Sequence, residues 1–243
     1  MAGEPDRKFS LRTAPLTGAE AEAVGIDVGL REYMLRVYNY MSSGLALTGI
    51  VAFGVSQSTT AMQVIFGTPL FWVVALAPLG VVFYLSARMQ AMKASTAQAW
   101  FWVFSVLMGL SLASIFIVYT GASIARVFFI TAGTFAAMSL YGYTTRRDLS
   151  GFGSFLFMGL IGIILASIVN LFLASSALQF TISVIGVLVF VGLTAYDTQA
   201  IKSVYSEADS GEVQSKKAIM GALKLYLDFI NLFIMLLHLF GRR

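Results

Sequence analysis

Seven helices crossing a lipid bilayer, an all-α membrane protein, account for this chain of 243 residues better than any soluble fold. Three observations point there. Hydrophobic residues fill 58% of the positions and charged residues 12%, about half the charged share of an ordinary soluble domain. Apolar segments recur seven times, each near the ~20 residues a helix needs to cross the hydrocarbon core. The connections between them alternate between basic and uncharged. A soluble fold of this length would lack the polar side chains to cover its surface, so one continuous bundle is expected.

Residues 1–32 read as a polar tail holding Arg7, Lys8, Arg12 and Arg31, with five Asp or Glu ahead of Glu32 and helix expected near 21–36. No short apolar stretch with a small-residue cleavage site lies near Met1, so a signal peptide is not expected. The seven-span domain occupies 33–243, with spans at about 35–56, 68–87, 97–119, 123–143, 153–174, 177–197 and 219–240. The turns at 119–123 and 174–177 are short and should join antiparallel neighbours. Pro69 and Pro78 flank or kink the second span. Small residues every fourth position mark expected helix contacts: Gly44, Thr48 and Ala52; Ser105, Gly109 and Ala113; Gly133 and Ala137; Gly162, Ala166 and Asn170. Asn170 and Asn231 read as interhelical hydrogen-bonding groups rather than ligands.

Charge in the connections sets the orientation. The tail is basic and SQSTTAMQVIF (57–67) is uncharged; Arg88 and Lys93 follow, then the neutral YTGAS. Arg146 and Arg147 come next, then the neutral ASSA, then Lys202, Lys216 and Lys217. The positive-inside rule reads this alternation as a cytoplasmic N-terminus. Seven spans put the C-terminus outside, against the charge of Arg242 and Arg243, so a last segment inserted only half-way is the alternative.

Composition also excludes function classes. Cysteine is absent, which removes disulfides, thiolate chemistry and cysteine-based metal sites. The net charge of +4 is spread over the connections, with no basic stripe for nucleic acid. His238 is the only histidine and no HExxH spacing exists. GFGSF around Ser154 faintly resembles a serine-hydrolase turn, but Ser154 and His238 fall at opposite ends of the expected bundle, so no enzyme is expected.

Two aspartates carry the functional reading. Asp197 closes TISVIGVLVFVGLTAYDTQ and Asp228 sits inside LKLYLDFINLFIMLLHLF. They are the only acidic residues in the apolar segments, where a carboxylate costs roughly 2.5–3.5 kcal/mol. With span six ending at Asp197 and span seven starting near Ile219, Asp228 lies about nine residues, ~13 Å, deeper. Tilt or an unwound turn at Gly221 would bring them level. Two bare carboxylates ~4 Å apart repel by about 4 kcal/mol at an effective dielectric of 20, so the pair would share one proton as a latch between helices. A structural ion pair from Lys224 or Arg88 is the plainer alternative. Calcium takes six to eight oxygens, so a cation here would be held weakly, completed by water, carbonyls or Asn231, which suits passage better than storage. No tightly bound cofactor is expected.

The segments AYDTQAIK (195–202) and LYLDFINLF (225–233), with NYMSSGLALTGIVAFG (39–54), resemble the Bax inhibitor-1 family, also called the transmembrane Bax inhibitor motif or Lifeguard family, in its bacterial form. The resemblance covers nearly the whole chain beyond residue 33. It implies a last span that is central and surrounded by the other six, and a pH-sensitive calcium leak of the bacterial inner membrane. Its controlling aspartates match Asp197, beside Tyr196 in the YD pair, and Asp228. Arg88 matches by location a latch arginine of bacterial relatives. Some relatives place a glutamate within span two, whereas 68–87 has no acidic residue, which puts conduction in doubt. Bacterial members also resemble proteins that bind and restrain a membrane-embedded AAA protease, so a non-conducting regulator acting through the tail is the alternative. The expected partners are the bilayer, calcium and such a membrane protein.

Overall fold

The computed structural model describes residues 27–242. The expected tail therefore lies outside the described residues up to position 26; of it, Asp27 caps the first helix through a 2.7 Å bond from the Leu30 amide. Nine helices follow among the described residues, and no strand: α1 (Val28–Ser56), α2 (Thr59–Phe66), α3 (Leu70–Arg88), α4 (Ala94–Leu112), α5 (Ile115–Val118), α6 (Gly121–Thr144), α7 (Ser150–Leu173), α8 (Ser176–Ser203) and α9 (Gly211–Phe240). Six are long and apolar enough to cross a membrane, or seven if α1 and α2 make one bent span.

Several boundaries differ from the apolar segments. The uncharged stretch after α1, expected as a connection, contains α2, which turns 102° from α1; Ser58 accepts from the Ala61 amide and starts it. The third span breaks after Leu112 and resumes as α5. α8 continues to Ser203 and α9 begins at Gly211, well outside their apolar cores. Serine starts both, with Ser175 accepting from Leu178 and Ser210 from Val213. Charged residues are compatible with those outer turns, so hydropathy alone stops short of the helix ends.

α9 is the most enclosed span, and packs chiefly against α8, α1, α6 and α4. α3 lies against α4, and α7 against α8. Leu225, Tyr226 and Leu232 of α9 have no exposed surface, whereas Phe83 of α3 and Phe172 of α7 are 72% and 86% exposed. Backbone groups are satisfied within each helix, which leaves apolar rings free to face lipid.

The small-residue rows divide. A Cβ on Gly44 would strike the Phe101 ring, and one on Gly109 the Thr48 carbonyl, so the rows expected in the first and third spans are contacts and meet each other. Gly133 and Gly162 face open space, so these two glycines of the rows expected in the fourth and fifth spans are not contacts, although Ala166 packs on the core. Those helices instead approach α8 through Gly142, against the Ala195 backbone, and Gly153, against the Tyr196 ring.

Candidate functional site

The close approaches of Gly142 and Gly153 flank one turn of α8, and that turn carries Asp197. Asp197 is followed by six more helical residues to Ser203, and this outer part of α8 lies alongside α9, where Gly221 packs on Ile201. The depth mismatch expected from the apolar segments therefore does not arise. α9 also stays helical through Gly221, so no unwound turn is needed.

The two carboxyl groups meet. Asp197 is 4% exposed and Asp228 5%, and their side chains lie within hydrogen-bonding reach of each other. Such a contact is attractive only with a proton between the oxygens. Lys224 Nζ stands 2.7 Å from Asp197 Oδ1. That is ion-pair distance, but it is not aligned as a hydrogen bond, and Asp228 Oδ2 is buried with no donor among the described residues. The Lys224 ammonium also sits 5.6 Å from the Tyr196 ring centroid. Its side chain is half-exposed, which keeps the cation wet on one side.

A cavity of about 620 Å³ between α1, the turn after α3, α8 and α9 reaches Lys224. Lys216, Lys217 and Lys224 line it with Tyr33, Met89 and Ile201. Lys216 donates to the carbonyls of Gln90 and Met92 past the end of α3, and Lys217 pairs with Asp209 at 2.5 Å. Beyond Asp228 the helix is tightly packed, with Leu232, Leu236 and Leu237 buried.

Two hydroxyl chains brace the site. Thr48 of α1 donates to the Ser105 carbonyl at 2.7 Å, so the Tyr226 hydroxyl must be the donor in its 2.6 Å bond to Thr48. By the same reasoning Thr198 donates to the Thr194 carbonyl, Ser139 donates to Thr198 at 3.0 Å, and Tyr38 donates to Ser139 at 2.5 Å. The second chain ties α1 and α6 to the residue after Asp197. Only the spacing of these hydroxyls from other helices, invisible in a single chain, identifies them.

The remaining candidates are placed differently. Arg88 ends α3 exposed, and among the described residues it forms no ion pair with either carboxyl. Asn231 donates at 2.8 Å to Leu227 of its own helix, not across to another. Asn170 does bond across the α7–α8 turn, to Gln179 at 3.2 Å. Ser154 is an ordinary residue of α7, and His238 bonds Gln179 at the far end of the α7–α8 hairpin. No group of three or more His, Cys, Asp or Glu side chains comes together as a metal site among the described residues.

A family model described as inhibitor of apoptosis-promoting Bax1 matches residues 30–243. The inner membrane protein YbhL of Escherichia coli is 53% identical over 218 residues, 88% of this chain and 93% of its own. An uncharacterized protein of Rickettsia prowazekii is 51% identical, over 89% of this chain and 92% of its own. An uncharacterized membrane protein of Streptococcus pyogenes is 38% identical, over 89% and 95%. None of these names indicates catalysis. With a helical bundle of six or seven spans and a match over nearly its whole described length, the chain is a multi-pass membrane protein that belongs to the Bax inhibitor-1 family.

Proposed function

We propose that the protein is a pH-sensitive leak pathway for cations, with calcium as the carried ion, in a bacterial inner membrane. The observation behind this is the meeting of Asp197 and Asp228, buried at the α8–α9 seam beside a cavity that reaches Lys224. With one proton between them, the carboxyls hold the two helices together. Without it, two like charges ~4 Å apart repel by about 4 kcal/mol at an effective dielectric of 20, enough to reverse an equilibrium about a thousandfold. Deprotonation therefore frees α9 and opens the seam. Family membership and the inner-membrane name of the YbhL relative support the setting. The basic connections support a cytoplasmic cavity side, with Lys202, Lys216 and Lys217, along with a cytoplasmic N-terminus.

Calcium flux into proteoliposomes tests the proposal. Wild-type flux should rise with pH, while Asp228→Asn should stay low and flat, because an amide donates to Asp197 at every pH. A variant with the wild-type flux and pH profile would overturn the reading.

One observation favours a second reading, a non-conducting regulator of another membrane protein such as an AAA protease. Three lysines line the cavity, and their field repels an entering cation. Its contact would be the tail, which lies outside the described residues up to position 26. This reading expects no flux from wild-type protein at any pH, and loss of the partner on removal of residues 1–30; retention of the partner would count against the tail.

A further inference from the structure

A second opening lies on the far side of α9 from the lysine cavity. Between α1 and α6 runs a groove of about 720 Å³, walled by Leu35, Tyr38 and Leu45 on one side and by Ala132 and Leu140 on the other, with Phe229 of α9 as its floor. Leu35 and Leu140 are 50% and 64% exposed, so the groove opens sideways toward lipid. Two of its hydroxyls are engaged, since Tyr38 bonds Ser139 and Ser139 bonds Thr198, and Ser42 is the one other hydroxyl along its length. The rest of the wall, up to Arg31 and Tyr143, is apolar.

One end is different. Arg31 and Tyr143 close it, and among the described residues the Arg31 guanidinium has no partner. Lys202 is outside the groove's lining but adds a second positive charge against Tyr143, with Nζ 5.0 Å from the Tyr143 ring centroid and 2.9 Å from its carbonyl oxygen. The groove runs from Arg31 to Ala46, ~22 Å at 1.5 Å per residue, longer than the ~15 Å of hydrocarbon in one leaflet. A largely apolar slot long enough for one leaflet's acyl chain, with a cationic end, suits an anionic lipid.

We propose that this groove binds an anionic phospholipid, with an acyl chain between α1 and α6 and the phosphate at Arg31 and Lys202. Basic pockets between spans on the cytoplasmic side are suited to such headgroups. A zwitterionic lipid would fill the slot but gain less at its end. The proposal does not depend on ion conduction.

Native mass spectrometry of the protein in neutral detergent, titrated with phosphatidylglycerol or phosphatidylcholine, tests it. Wild type should retain phosphatidylglycerol at least fivefold better than phosphatidylcholine. Arg31→Gln with Lys202→Gln should remove that preference, and Ala132→Phe, which fills the slot, should reduce retention of both lipids with melting behaviour unchanged. Equal retention of the two lipids by wild type, or full retention of phosphatidylglycerol by either variant, would overturn it. The chain has no cysteine, so a single Leu35→Cys can also be crosslinked cleanly. Efficient disulfide dimers in a bilayer would assign the groove to a second copy instead and sink the lipid reading; monomers are expected.

Discussion

Lys224 lies one helical turn before Asp228 on α9, yet its ammonium pairs with the aspartate of the neighbouring helix, Asp197, at 2.7 Å. A lysine and an aspartate four residues apart on one helix would ordinarily pair with each other. Here both side chains point at α8, so two carboxyls share one lysine. With one proton shared between the carboxyls, the cluster with Lys224 carries no net charge. On the proposed reading the ion pair and the proton latch are therefore parts of one arrangement and not alternatives.

That charge count predicts the effect of removing the lysine. In Lys224→Met the cluster loses its positive charge, so the remaining proton is held more firmly and is released only at higher pH. Calcium flux in proteoliposomes should rise at a more alkaline pH than in wild type. Arg88→Gln should leave the profile unmoved, because Arg88 is exposed at the end of α3 and pairs with neither carboxyl. A shift in the arginine variant with none in the lysine variant would mean that the structure's ion pair is not the one that controls the gate.

Asp197→Asn separates the two jobs of that carboxyl. The amide still bridges to Asp228, so flux should lose its pH dependence as in Asp228→Asn. Unlike Asp228→Asn, it also removes the carboxylate that Lys224 pairs with at 2.7 Å, so the ammonium is freer to swing into the 620 Å³ cavity. The reactivity of Lys224 toward an amine-directed label should rise severalfold in Asp197→Asn and little in Asp228→Asn. Equal labelling in both would argue against the Asp197–Lys224 pairing.

The Tyr226–Thr48 bond gives a stability prediction. Tyr226 has no exposed surface, so Thr48→Val strands its hydroxyl in the core and should cost about 1–2 kcal/mol. Tyr226→Phe removes the other partner. The double variant should be no worse than Tyr226→Phe alone by more than ~0.5 kcal/mol, because nothing is then left unpaired. Unfolding in detergent by denaturant, read by circular dichroism, supplies the cycle. Strictly additive losses would show that the two hydroxyls do not depend on each other.

Much of the site was legible in sequence because carboxylates in apolar runs are conspicuous. Asp197 and Asp228 needed only hydropathy to be singled out, and the LYLDFINLF stretch carried the family. Which partner Lys224 takes was not legible, since helical spacing favours Asp228 and only the facing of α8 decides for Asp197. The registers of α8 and α9 were also hidden. Their outer turns carry Lys202, Lys216 and Lys217, so the apolar segments stop before the helices do. Small residues misled for a similar reason. Gly133 and Gly162 sit in regular fourfold rows, yet lipid faces tolerate glycine as readily as seams do, and only a neighbour's position tells the two apart.

That distinction is itself measurable. Gly142→Val places two methyls where the Ala195 backbone lies, and backbone cannot rotate away as a side chain can. α6 must then retreat from α8, at a cost of about 1–3 kcal/mol, and the strain falls two residues from Asp197. Gly133→Val is on the same helix and meets nothing, so its Cβ group should enter lipid at little cost. Thermal melting of both variants in one detergent gives the comparison. Gly142→Val should melt well below wild type and Gly133→Val within a degree or two of it. Identical melting would mean that α6 and α8 are not in backbone contact, and the turn carrying Asp197 would lose its main support.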